Sequence, residues 1–233
     1  MLPWKLLDSS PTPDGKNELQ LFQRGDEYAI RTGGIELMNS RRHGSEDALA
    51  ELACAPIARR TAARVLVGGL GMGYTLAAAL TALQPDATVD LAELVPKVVA
   101  WNRDFLGIFA GKPLNDQRVT VHEMDVSLLI KNNPSTFDAI MLDVDNSPDC
   151  LVQQDNDTLY CPTGLAAAQT ALRPGGVLAV WSVAGDQAFT RRLKEAGFRV
   201  EVKTARERGS DKGARHTIWI ATAPAGRQST KKE

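Results

Sequence analysis

The sequence predicts an α/β fold: a Rossmann-like, largely parallel sheet of seven strands with helices on both faces, preceded by a small N-terminal antiparallel β-domain. Three observations carry this prediction. A Val/Leu run ends in a glycine-rich loop over Val65-Leu66-Val67-Gly68-Gly69-Leu70-Gly71-Met72-Gly73, and an Ala/Leu-rich helix pattern follows from Tyr74 to Leu83. Beyond it, strand and helix patterns alternate, as a parallel sheet requires. The last two strand patterns, Phe198–Val202 and Thr217–Ala221, have only a charged loop between them, so they pair antiparallel.

The elements follow in order. Glu18–Arg24 and Tyr28–Thr32 alternate apolar and polar residues around the Gly25-Asp26 turn, and Gly33-Gly34 turns the chain into Ile35–Met38. Such short strands are not stable alone, so this meander must pack on the main domain or on another subunit. Ser45-Glu46-Asp47-Ala48 opens a helix with acids in its first turn, where the helix dipole favours them, and Pro56 ends or kinks it. The main strands are Val65–Gly68, Val89–Glu93, Val119–Glu123, Asp138–Asp143 and Val177–Ser182. Helices over Lys97–Phe105, Pro162–Leu172 and Ala188–Ala196 separate them, and Pro174-Gly175-Gly176 is a turn. The expected domains are 1–45 for the β-unit and 46–225 for the Rossmann-like unit, with 226–233 a polar, disordered tail.

Composition excludes several classes of function. The 233 residues can bury one substantial core. Lys and Arg total 27 against 28 Asp and Glu, a net charge of −1, so no positive field recruits nucleic acid or an anionic membrane. Cys54, Cys150 and Cys161 have no metal-ligand spacing; no metal is expected, and reduced thiols fit a cytoplasmic protein. No apolar run reaches membrane-spanning length, and Met1–Ser10 lacks the apolar core of a secretion signal.

Ligands of an open parallel sheet bind at the carboxyl ends of its strands, and here those ends are acidic. Glu93 lies about 20 residues past the glycines, where a carboxylate accepts hydrogen bonds from two ribose hydroxyls of a nucleotide-like cofactor. Gly68, Gly69, Gly71 and Gly73 let such a cofactor approach the backbone. Asp125, followed by Val126, suits the exocyclic amine of an adenine. Asp143 and Asp145 suit an amine or sulfonium substrate, or the deprotonation of a nucleophile. A dinucleotide needs room for a pyrophosphate at the helix N-terminus, whereas S-adenosylmethionine (AdoMet) has no phosphate. The glycine loop leaves both open; Asp125 and the terminal hairpin favour an AdoMet-type ligand over a nicotinamide dinucleotide.

From about Glu18 to Ala221 the chain resembles the spermidine/spermine synthase family, the aminopropyltransferases of the class I AdoMet-dependent methyltransferase superfamily. The resemblance rests on the β-meander, the Val65–Gly73 loop, Ala92-Glu93-Leu94, Val121-His122-Glu123-Met124-Asp125, Phe137–Asp143 and the Leu172–Leu178 run. It implies an N-terminal β-domain on a methyltransferase-type fold. It implies decarboxylated AdoMet or AdoMet as co-substrate, and transfer of an aminopropyl group to a small-molecule amine. It further implies a homodimer or homotetramer built through the β-domain. It carries the ribose acid onto Glu93, the adenine acid onto Asp125 and the catalytic acid onto Asp143. A methyltransferase on the same scaffold and a non-catalytic nucleoside-binding member are the alternatives.

The chain departs from that family on the acceptor side. Where true synthases resemble Gly-Gly-Gly-Asp-Gly-Gly, this chain has Gly68-Gly69-Leu70-Gly71-Met72-Gly73, with glycine at the acid position. Where they carry Asp-Ser-Ser-Asp, it has Asp143-Val144-Asp145-Asn146; for their Tyr-His-Glu run, the nearest segment is Ala48-Leu49-Ala50-Glu51. Candidate acceptor residues are His43, a base near neutral pH or a loop hydrogen-bonder, and Glu46 beside it. Tyr160 is a third candidate, on the polar 146–161 stretch that reads as a lid or a surface loop. His122, Trp101 and Trp181 read as structural, and His216, flanked by Arg215, as structural or interfacial.

Overall fold

The computed structural model describes residues 2–144, 157–206 and 213–225. Asp145, most of the 146–161 stretch and the 226–233 tail lie outside the described residues. Two sheets form among the described residues. The first is antiparallel, with β1 (Lys5–Pro11), β2 (Glu18–Arg24), β3 (Glu27–Thr32) and β4 (Ile35–Asn39) in chain order. β1 is not legible in the sequence, because Lys-Leu-Leu-Asp-Ser-Ser-Pro does not alternate and ends in turn formers. Tertiary contacts hold it: Asp8 Oδ2 accepts from Lys97 Nζ and from Trp101 Nε1, each at 2.8 Å.

The second sheet contains β5 (Arg64–Gly68), β6 (Thr88–Ala92), β7 (Val119–His122), β8 (Phe137–Leu142), β9 (Leu172–Ser182), β10 (Arg199–Arg206) and β11 (Arg215–Thr222). Its order is β10-β11-β9-β8-β5-β6-β7. The strands from β9 to β7 are parallel, and β11 runs antiparallel to both β9 and β10. The helices are α1 (Gly44–Cys54), α2 (Tyr74–Ala82), α3 (Pro96–Trp101), α4 (Val126–Asn132), α5 (Asp157–Tyr160), α6 (Pro162–Ala171) and α7 (Gln187–Glu195). The expected 97–105 helix is instead α3 followed by a π-turn over Asn102–Leu106. α4 is absent from the sequence prediction, being short and beginning at residues that read as a ligand site.

Alternation along β5 explains the two cores. Val65 and Val67 pack with Leu49 of α1, Leu76 of α2 and Val98 of α3. Leu66 faces the other way, in a cluster with Ile130 of α4, Leu165 of α6 and Phe189 of α7. Each such side chain contributes about 1.5–3 kcal/mol by leaving water, so a strand buried on both faces must be apolar throughout. The small sheet docks on the first of these cores: Leu21 and Ile30 belong to it, and Met38 packs against it. The meander therefore packs on the main domain of its own chain. At the amino edge, Asp138 (2% exposed) accepts from Arg60 Nη1 at 2.6 Å, Arg173 Nη1 at 2.8 Å and the Arg64 amide at 2.8 Å. That cluster ties β5, β8 and β9 together away from the ligand edge.

Candidate functional site

The glycine loop is built by close approach. Gly68 pairs with both Ala92 and Leu142, so β5, β6 and β8 end level. A Cβ on Gly68 would stand 2.9 Å from Val126 Cγ2, which brings the start of α4 against the loop. Gly69 has φ +89, and a Cβ there would run into the Asp143 carbonyl oxygen. Gly71 (φ +51) lies against the small sheet, where a Cβ would stand 2.9 Å from the Met38 sulfur. Gly73 caps α2 with φ +85 and faces Pro113. Asn102, at the π-turn, donates from Nδ2 to the Gly71 carbonyl at 2.8 Å and to the Val98 carbonyl at 2.9 Å.

Glu93 closes this loop from below. Its Oε2 accepts the Leu70 amide at 2.9 Å and its Oε1 the Val95 amide at 2.8 Å. Burial pushes its carboxyl up from the ordinary value of 4.5, against the lowering effect of those amides. The residue read from sequence as a ribose ligand is thus also the tie that orders the glycine loop. Asp125, read from sequence as an adenine acid, is also tied to the fold. It is the N-cap of α4, accepting the Ser127 amide at 2.7 Å, so one carboxylate oxygen is committed to the helix. Val126 is buried beside it.

Asp143 sits just past β8, and Thr75 of α2 donates from Oγ1 to its Oδ2 at 2.5 Å. The Thr75 hydroxyl also lies 3.5 Å from the Glu46 carbonyl oxygen, which brings the first turn of α1 over the same corner. Burial raises the Glu46 carboxyl, partly offset by the Ser45 hydroxyl at 2.5 Å and by the imidazoles of His216 and His43. Tyr74 is pushed up to about 12 by burial and by the charges of Glu46 and Asp47. Its ring stacks on His43 at 4.2 Å, while His43 Nδ1 lies 2.9 Å from Asp47 Oδ2. Tyr160 is 3% exposed, its hydroxyl raised by burial and by the Asp143 charge, and that oxygen has no hydrogen-bond partner among the described residues.

The structure therefore gathers His43, Glu46, Asp143 and Tyr160 at the carboxyl edge, while Asp145 lies outside the described residues. Glu51, in the segment closest to the Tyr-His-Glu pattern, is exposed; Glu46, five residues earlier, is the acid at the corner. Thr75 is not singled out by the sequence, and His216, not read there as a site residue, stands near Glu46. His216 stacks on Trp181 at 4.9 Å and acts on Glu46. The signal for it was the terminal hairpin: an antiparallel β11 begins where β9 ends, with Thr217 paired to Ser182. His122 is structural as expected, its Nε2 2.8 Å from Asp90 Oδ1, and Trp101 is core. No group of three or more His, Cys, Asp or Glu able to hold a metal occurs among the described residues. No helix among them is long and apolar enough to cross a membrane.

The fold is that of known structures. The spermidine synthase of Thermotoga maritima superposes with a TM-score of 0.74 at 17% identity, over 94% of this chain and 72% of that one. A spermidine synthase in complex with the transition-state analogue AdoDATO gives 0.72 at 17% identity, with the same coverage. A probable spermidine synthase from Corynebacterium glutamicum gives 0.64 at 16%, over 94% of this chain and 79% of its own. Among curated protein sequences none matches the chain. The spermine/spermidine synthase domain model matches residues 52–195, more than half of the sequence, and the chain belongs to that family.

Proposed function

We propose that this chain is a spermidine synthase-like transferase. It takes a nucleoside sulfonium: decarboxylated AdoMet, whose aminopropyl group it moves to a small amine, or AdoMet in the second reading below. The observation that carries this reading is Asp143, fixed by Thr75 at the end of β8 between the glycine loop and the Glu46 corner. A protonated amine is no nucleophile, so a carboxylate beside it must take its proton. The amine nitrogen then attacks the carbon next to the sulfonium; the N–C bond forms as the C–S bond breaks, and the neutral thioether nucleoside leaves. Such a one-step displacement needs alignment and charge placement more than covalent chemistry.

Family membership supports the same reading, as does the neighbouring spermidine synthase that holds AdoDATO. Glu93 would hold the ribose and Asp125 the adenine, and no metal enters. The reading extends to a cytoplasmic homodimer or homotetramer joined through the β1–β4 sheet, whose size sedimentation measures.

The Gly71–Met38 contact favours a second reading, methyl transfer from AdoMet, because glycine stands where the family places an acid. Mass analysis of the nucleoside product separates the two. Methylthioadenosine from decarboxylated AdoMet and an amine panel supports aminopropyl transfer. S-adenosylhomocysteine from AdoMet supports methyl transfer. Binding without either product leaves a nucleoside-binding protein.

A further inference from the structure

Resting on the reading that an amine takes up the aminopropyl group beside Asp143, we propose that Trp181 selects this acceptor. The acceptor it selects is an amine bearing an uncharged oxygen, a hydroxyl or an amide, where a diamine has its second ammonium. Strand register places the residue. β8 and β9 run side by side, with Met141 paired to Ala179 and Leu142 to Val180. The Asp143 amide still donates to the Gly68 carbonyl at 2.9 Å, so β8 keeps its course for one residue more. The next pair in line is Asp143 beside Trp181, about 5 Å apart at ordinary strand spacing. Alternation sends both side chains to one face. Met141 and Ala179 belong to the core under α1 and α2, Leu142 and Val180 to the opposite core, and Asp143 and Trp181 follow the first pair.

That face also carries the rest of the corner. Thr75 reaches Asp143 from α2, and Glu46 stands in the first turn of α1. His216 lies on β11 two residues before Ile218, the partner of Trp181, and its ring stacks on the indole at 4.9 Å. The sequence reads Trp181 as core, but here it is partly exposed at the carboxyl edge. Its Nε1 is nevertheless closed off from water and has no hydrogen-bond partner among the described residues. An indole N–H donates and cannot accept. A buried donor without a partner is unfavourable, and a molecule that brings an acceptor to it removes the penalty. An ammonium cannot do so, because it too only donates. An oxygen can. A carboxylate oxygen would meet the acids Asp143 and Glu46 in the same corner, so the oxygen that fits is uncharged. The transfer step is unchanged. The ammonium proton passes to Asp143, the nitrogen attacks the carbon beside the sulfonium, and the N–C bond forms as the C–S bond breaks. The oxygen takes no part beyond holding the acceptor on Trp181.

The test measures methylthioadenosine release from decarboxylated AdoMet with three straight-chain acceptors, diaminobutane, aminobutanol and aminobutanoate, which differ only in the terminal group. The proteins are the native chain, Trp181→Phe, which keeps a ring and removes the N–H, and Trp181→Gln, which supplies an acceptor oxygen as well as a donor. The native chain is expected to favour aminobutanol over the other two by about tenfold or more in kcat/KM. Trp181→Phe is expected to erase the preference over diaminobutane, chiefly through KM, and Trp181→Gln to shift it toward diaminobutane. Methylthioadenosine affinity, which reports the nucleoside site alone, is expected to stay within about twofold in both variants. A native chain that favours diaminobutane or aminobutanoate overturns the proposal without any variant. So does a Trp181→Phe protein that binds methylthioadenosine as the native chain does and keeps the aminobutanol preference. No product from the native chain with any amine overturns the transfer reading itself, and this inference with it.

Discussion

Thr75 and Asp143 stand 68 residues apart in the chain, yet the Thr75 hydroxyl donates to Asp143 Oδ2 at 2.5 Å. One residue opens the helix after the glycine loop; the other follows the strand that pairs with β5. The contact fixes the carboxylate through which the proposed transfer runs. Thr75→Val keeps the shape and removes the donor. It is expected to cost about 1 kcal/mol of stability and to lower kcat about tenfold, while Thr75→Ser retains most activity. Urea denaturation alongside steady-state kinetics checks both, with methylthioadenosine affinity expected to stay unchanged.

Asp125 caps α4 and is the proposed adenine acid, and two substitutions separate the observed role from the proposed one. Serine also caps helices, so Asp125→Ser is expected to keep native stability, whereas Asp125→Ala loses about 1 kcal/mol. Both remove the carboxylate, so both are expected to weaken methylthioadenosine binding by about tenfold or more. Thermal melts and calorimetry on the pair read the two effects independently.

Glu46 gives a pH signature of definite sign. Burial raises its carboxyl above the ordinary 4.5, so the folded chain holds this proton more tightly than the unfolded chain does. Its contribution to stability is full below 4.5 and declines as pH rises from there through the raised native value. Glu46→Gln mimics the protonated form and is expected to flatten that decline. Urea midpoints between pH 4 and 8, for native and variant proteins, follow the difference.

At the opposite edge of the sheet, Asp138 binds Arg60, Arg173 and the Arg64 amide. Asp138→Ala is expected to cost roughly 2 kcal/mol or more by leaving that amide and two guanidinium groups without their carboxylate. Arg60 and Arg173 remain partly solvated, which keeps the loss below that of a fully buried pair. Denaturant titration measures the cost, and donor affinity of the folded fraction is expected to match the native protein.

These residues also mark where the sequence was readable. β5, β6 and β8 were legible because burial demands an apolar run, and the glycines because a tight loop must follow. The order of acids along the strand ends was legible for the same reason: parallel strands deliver their last residues to one edge. β1 was not, since Asp8 is held by Lys97 and Trp101 from a distant helix. Nor was the tie that Glu93 makes to the glycine loop, because the Leu70 amide it accepts stands 23 residues away in sequence. The place of His216 depended on strand order, and the meeting of Met38 with Gly71 on how the two sheets dock. Local pattern encodes neither.

The most direct measurement follows methylthioadenosine release from decarboxylated AdoMet with an amine panel, comparing the native chain and Asp143→Asn. Methylthioadenosine affinity is determined for both proteins. The account predicts turnover by the native chain, a loss of about 100-fold or more in Asp143→Asn, and equal nucleoside affinity. Undiminished turnover in Asp143→Asn, or a native chain that binds the nucleoside yet releases no product with any amine, would contradict it.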